Sequence, residues 1–157
     1  MAVGVDCFAV ILADGCLLAA SRRASGDDAT RARLLAKGLT AIDSMLGPGR
    51  VPCGQGYEAE MRRLQGELLL ARDGLAAGAA ALECFERAMQ LGREKGALAW
   101  ELRAAMSLVR LRERRGAACA AELAEARCCL ADVYARFTEG FVFPDLRDAA
   151  ALIGDSG

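Results

Sequence analysis

The chain has 157 residues, the size of one ordinary domain, and a hydrophobic content of 54% that is ample for a core. Aromatic residues make up only 5% while Ala and Leu dominate the apolar set, the composition of closely packed helices. With 20 basic against 21 acidic residues there is no charge excess to hold a polyanion, so direct binding of nucleic acid is not expected.

Val3 to Ala20 is apolar apart from Asp6 and Asp14. A signal peptide or membrane span fits poorly, because Arg22 and Arg23 follow the stretch instead of preceding it. A mid-span Asp14 would also cost on the order of 2.5 to 3.5 kcal/mol in a bilayer. The segment is predicted as a buried helix with Val5, Phe8, Leu12, Gly15 and Ala19 on one stripe, widened by Ile11 and Leu18. Ser25-Gly26-Asp27-Asp28 is a turn, with Asp27 or Asp28 as the N-cap of the next helix. Arg31 to Leu46 then turns Leu34, Leu35, Gly38, Ile42, Met45 and Leu46 to one face, as the return arm of a first hairpin at about 3–46. Gly47 to Gly56 holds two prolines and four glycines and breaks the helix. It lacks both nucleotide-binding glycine patterns and is read as a connecting loop.

Tyr57 to Ala71 carries Tyr57, Met61, Leu64, Leu68 and Ala71 at steps of four and three, which is one continuous helical face. Asp73-Gly74 ends it, and Ala77 to Lys95 forms the partner arm, turning Ala81, Leu82, Phe85, Ala88, Met89 and Gly92 inward. Gly96 closes this second hairpin, at about 57–95. A third, at about 97–139, places Leu98, Leu102, Ala105 and Val109 inward, stops at Gly116, and returns through Cys119, Leu123, Ala126, Leu130, Val133 and Phe137. Pro144 opens a short capping helix over 144–153, with Leu146, Ala149, Ala150 and Ile153 as its stripe, and 154–157 is predicted to fray. Aligning Glu60 with Glu101 superposes Leu70 on Leu111 without a gap, an offset of 41 residues. A fixed period of hairpins is the mark of a solenoid, since one hairpin cannot bury its own apolar face.

These residues resemble the tetratricopeptide repeat. Gly66 stands where the first helix of that repeat needs a small residue, and Ala81, Phe85 and Ala88 reproduce its second-helix triplet of small, aromatic and small residues. In the third hairpin Ser107, Ala126, Leu130 and Val133 take those places; in the first, Ala13, Gly38, Ile42 and Met45 do. The period is longer than the usual 34 residues. The resemblance implies an all-α, right-handed antiparallel helical-hairpin solenoid of about three hairpins and a capping helix, one domain over 3–153. A second resemblance runs from about Leu39 to Leu152, where GELLL, WELRAAMSLVRL and VYARFTEGF followed by PDL are similar to the C-terminal repeat segment of large bacterial predicted ATPases. Those proteins are often joined to adenylate or guanylate cyclase domains or to transcriptional activators. Val142 and Phe143 are less polar than that family's turn. No P-loop, cyclase metal-binding motif or winged helix occurs in the chain.

The resemblance makes the chain a cytoplasmic, non-catalytic regulatory arm that binds a protein or peptide, or an upstream domain of its own parent. Its groove would be lined by Glu60, Arg63 and Glu67 from one helix and by Glu101, Ala104, Leu108 and Arg112 from the next. Against this stands a plain solvated helix face, since charged outer faces are ordinary. Trp100 is read as a core or inter-repeat packing residue and not as a recognition hot spot. The oily first helix has no polar cover, which leaves a missing upstream repeat, a self-association surface or a C-terminal fragment of a longer product as its explanation; the fragment is the one adopted. Seven cysteines, no histidine and no C-x-x-C pair argue for reduced thiols and against a metal site or cofactor. The vicinal Cys128 and Cys129 supply the alternative, a small cytosolic thiol redox or metal-responsive protein.

Overall fold

The computed structural model describes residues 3–22, 27–47 and 57–154. The described residues are all-helical: α1 (Val3–Ser21), α2 (Asp28–Leu46), α3 (Tyr57–Asp73), α4 (Gly78–Glu94), α5 (Leu98–Arg115), α6 (Ala120–Tyr134) and α7 (Pro144–Gly154). Short 3₁₀ turns at Gly74–Ala77 and Gly116–Cys119 lead into α4 and α6. The expected loop from Gly47 to Gly56 and the expected fraying tail fall outside the described residues, apart from Gly47 and Gly154. Among the described residues no helix is long and apolar enough to cross a membrane.

Glycine sets several of these boundaries. Gly74, Gly96, Gly116 and Gly140 all have φ between 62° and 82°, a left-handed conformation in which an L side chain is strained. Each stands where the sequence stops a helix. Only the third return arm ends early. α6 closes at Tyr134, because the backbone bonds tighten at Arg136, which donates to the Val133 carbonyl, and at Phe137, which donates to that of Tyr134. Phe137 therefore lies past the helix, still half-buried against the core.

Each helix packs on the next, and further contacts join α1 to α3, α3 to α5 and α5 to α7. Met61, Leu64 and Leu68 meet Leu35, Ile42 and Ala13 in one core; Leu102, Val109, Leu130 and Leu146 share another. Between them lie Leu70, Ala81, Phe85 and Leu111. The 41-residue offset is visible in burial. Glu60, Met61, Leu64, Gly66, Leu68 and Leu70 are buried on α3, and so are Glu101, Leu102, Ala105, Ser107, Val109 and Leu111 on α5. The two helices thus bury corresponding positions along their lengths.

α1 is turned differently from its expected stripe. Its buried positions are Ala9, Ala13, Cys16 and Ala20, whereas Phe8 is 66% exposed, Gly15 is exposed and Leu12 and Ala19 are half-buried. The Val5 side chain lies outside the described residues. Close approach is the reason. A Cβ on Gly38 of α2 would stand 3.0 Å from Leu68 and 3.3 Å from the Cys16 Cβ, so only a face of small residues fits against α2 and α3.

Candidate interaction face

The polar side chains of α3, α5 and α7 meet in a continuous network. Glu60, in the first turn of α3, is 2% exposed, and its two carboxylate oxygens accept from Arg63 Nη2 at 2.7 Å and Nε at 2.8 Å. This is a bidentate pair, the strongest geometry open to a carboxylate and a guanidinium. The same carboxylate accepts from Arg103 Nη1 of α5 at 2.8 Å, and Arg103 Nε reaches the Asp145 carboxylate of α7 at 3.0 Å. Three helices are thereby joined through one buried acid. Burial alone would lower the Arg63 pKa, but the hydrogen bonds and charge of Glu60, with the charges of Glu67 and Asp14, hold it above the ordinary guanidinium value.

Beside this chain of charges, Arg103 lies 5.5 Å from the Trp100 ring centroid, and Trp100 in turn sits 6.4 Å from Tyr57 of α3. Trp100 is half-buried and packs between α5 and α3. Further along, the buried Ser107 hydroxyl donates to Glu67 at 2.7 Å, and Arg110 pairs with Asp148 at 3.4 Å. Between α3 and α5 an open cleft of about 410 Å³ is floored by Leu70 and Leu111 and walled by Glu67, Ser107, Arg110 and Arg114.

Of the seven residues expected on this face, the structure gathers Glu60, Arg63 and Glu67. Glu60 is spent on internal pairing, Arg63 is nearly covered, and Glu67 alone borders the cleft. The four from α5 lie elsewhere. Glu101 is 0% exposed and points towards α4 and the end of α6, where Arg93 Nε lies at 3.1 Å and Arg136 Nη1 at 2.6 Å. Ala104 is sealed in the core with Met89 and Leu130, and so has no surface to offer a partner. Leu108 is half-buried between two core clusters, and Arg112 turns to Glu122 of α6 at 2.5 Å. Sequence alignment at 41 residues carried the α3 face onto the wrong side of α5. The side that faces the cleft is marked by Arg103, Ser107, Arg110 and Arg114, polar residues at steps of four, three and four that form one stripe.

No family model, curated protein or solved structure matches this chain. Its site must be judged on its own side chains. Among the described residues no group of three or more His, Cys, Asp and Glu is placed to hold a metal ion. Burial pushes the Cys129 thiol up despite the opposing charge of Arg93, and burial raises Cys84 as well. A nucleophilic or redox-active thiol needs the opposite shift.

Proposed function

We propose that this chain is a non-catalytic protein–protein interaction arm, folded as a right-handed antiparallel solenoid of tetratricopeptide-like hairpins. It works in the cytoplasm as the regulatory arm of a bacterial signalling protein of the ATPase or cyclase type. The observation that carries the interaction role is the face shared by α3, α5 and α7, whose ordered charges border an open cleft between α3 and α5. Acidic, basic and hydroxyl groups over an apolar floor suit an extended peptide, or a segment of a neighbouring domain of the same parent protein, whose backbone and side chains need both donors and acceptors. The repeat assignment is supported by contacts through alternate helices and by the burial register shared by α3 and α5. Gly66 supports it too: a Cβ there would stand 2.5 Å from the Phe85 ring, the close approach that a small residue at this repeat position serves. The parentage rests on the sequence resemblance alone.

Selection of a displayed peptide library on the purified chain tests the role. Enriched peptides are expected to lose affinity about tenfold or more on Glu67→Arg or Arg110→Glu, each of which reverses a charge at the cleft, and to ignore Glu86→Arg on the outer side of α4. Failure to enrich any peptide, or binding insensitive to both cleft variants, would overturn the assignment.

A further inference from the structure

The cleft between α3 and α5 is unevenly supplied with free charge. Its two acids are engaged: Glu67 accepts from the Ser107 hydroxyl at 2.7 Å with Arg63 3.9 Å away, and Glu113 accepts from Arg127 of α6 at 3.0 Å. Its two arginines are not. The Arg114 guanidinium is exposed and has no ion-pair or hydrogen-bond partner among the described residues. Arg110 has one, Asp148 of α7 at 3.4 Å, with the two side chains 47% and 60% exposed, a contact too long and too open to hold firmly. Arg110 and Arg114 also stand one helical turn apart on α5, where like charges repel.

We infer that Arg110 and Arg114 receive one carboxylate side chain, Asp or Glu, of the peptide that the cleft binds, and that Asp148 is the internal competitor which this carboxylate displaces. The inference deepens the interaction role proposed above and rests on it. The hydrogen-bonding capacity left over in the cleft is donor capacity, and an ionised carboxylate is acceptor only. One carboxylate can serve two guanidiniums, as Glu60 does with Arg63 and Arg103. Seated between Arg110 and Arg114, it also relieves their mutual repulsion. Leu70 and Leu111 in the floor keep water from one side of the pair, which strengthens it. A single negative charge fits best. Glu67 and Glu113 remain in the cleft wall, so a phosphate carrying nearly two charges would meet as many like charges as opposite ones.

Asp148 sets the threshold for this exchange. Because it already holds Arg110, an arriving acid gains only the difference between the pair it makes and the pair it breaks. Leu146 and Ala149 anchor α7 in the core with Leu102 and Leu130, so the exchange releases one side chain and leaves the helix in place.

Titration of the purified chain with a fluorescent synthetic copy of the most enriched library peptide tests this. Enriched sequences are expected to share one Asp or Glu, and changing it to Asn or Gln is expected to weaken binding about tenfold. Amidating the peptide's own C-terminus is expected to change nothing. Arg114→Gln is expected to abolish the preference for the acid over its amide. Asp148→Asn is expected to tighten the acidic peptide about two- to fivefold and to leave the amide form unaffected. Asp132→Asn, which removes an exposed acid of α6 and alters net charge equally, is expected to affect neither. Peptides that enrich and respond to Glu67→Arg or Arg110→Glu, yet share no acid, overturn this inference and leave the interaction role standing. So does an acid that tolerates its amide, a loss confined to C-terminal amidation, or tightening by Asp148→Asn that is equal for both peptide forms. A chain that enriches no peptide overturns both.

Discussion

At the scale of single residues, the glycines separate tolerance from damage. Gly92 of α4 is pressed against the start of α5, where a Cβ would meet the Glu101 backbone nitrogen at 2.9 Å and its Cα at 3.0 Å. Backbone cannot step aside as a flexible side chain can. Gly92→Ala is expected to cost about 1 to 3 kcal/mol in urea unfolding, the overpacking outweighing the gain in helix propensity. Gly15→Ala, with open space around it, is expected to stabilise the chain by about 0.5 to 1 kcal/mol in the same measurement. The thiols give a second prediction. Burial holds the folded-state pKa of Cys84 and Cys129 above the ordinary thiol value, so both keep their protons after the unfolded chain has begun to lose its own. Stability is full below about pH 8.5 and falls as pH rises beyond it. A urea midpoint followed from pH 7 to pH 10 is expected to decline less steeply in the Cys84→Ala, Cys129→Ala double variant than in the parent.

At the scale of elements, the helices close more carefully than they begin. α5 starts at Ala97, which has non-helical φ and ψ and no side chain able to accept from the free amides of the first turn. Ala97→Ser is expected to raise stability by about 0.5 to 2 kcal/mol, read as a higher thermal midpoint, if the hydroxyl completes the cap. Three helix ends were legible in the sequence for a physical reason: Gly74, Gly96 and Gly116 each mark a backbone conformation that other residues resist, whereas α6 closes at Tyr134, ahead of Gly140. So was the partition of α4, whose Ala81, Phe85, Ala88 and Met89 are buried and whose Glu83, Glu86, Arg87 and Gln90 are exposed. Periodicity failed where charge and size reversed their usual roles. Glu60 and Glu101 read as surface acids because the partners that cover them come largely from elsewhere in the chain: beside Arg63 and Arg93, Arg103 lies 43 residues beyond Glu60 and Arg136 lies 35 beyond Glu101. α1 read as a helix buried on its bulky stripe, whereas the small side matters in a close crossing and the bulky side is left outward. The cleft was half legible. Glu67 belonged to the expected groove, but the stripe from Arg103 to Arg114 was hidden by an alignment that matched buried positions instead of exposed ones.

At the scale of the whole molecule, contacts pass from each helix to its near neighbours along the chain, so cohesion differs between the middle and the ends. α3, α4 and α5 are each packed by helices on both sides, while α1 and α7 each lack a neighbour on one side among the described residues. Native-state hydrogen exchange is expected to be slowest in α3 to α5 and fastest in α1 and α7, with the two groups separating into distinct opening events. Uniform protection from end to end would instead indicate one indivisible cooperative unit.

Trp100 lends the molecule a native optical gauge. It is the sole tryptophan, and it touches Tyr57 across the seam from α5 to α3 with the Arg103 guanidinium over its ring. Light emitted on excitation of the indole therefore reports on one joint and on no other. Any ligand or solvent change that loosens α5 from α3 should redden that emission while the backbone signal stays constant, making that joint readable without attaching a dye.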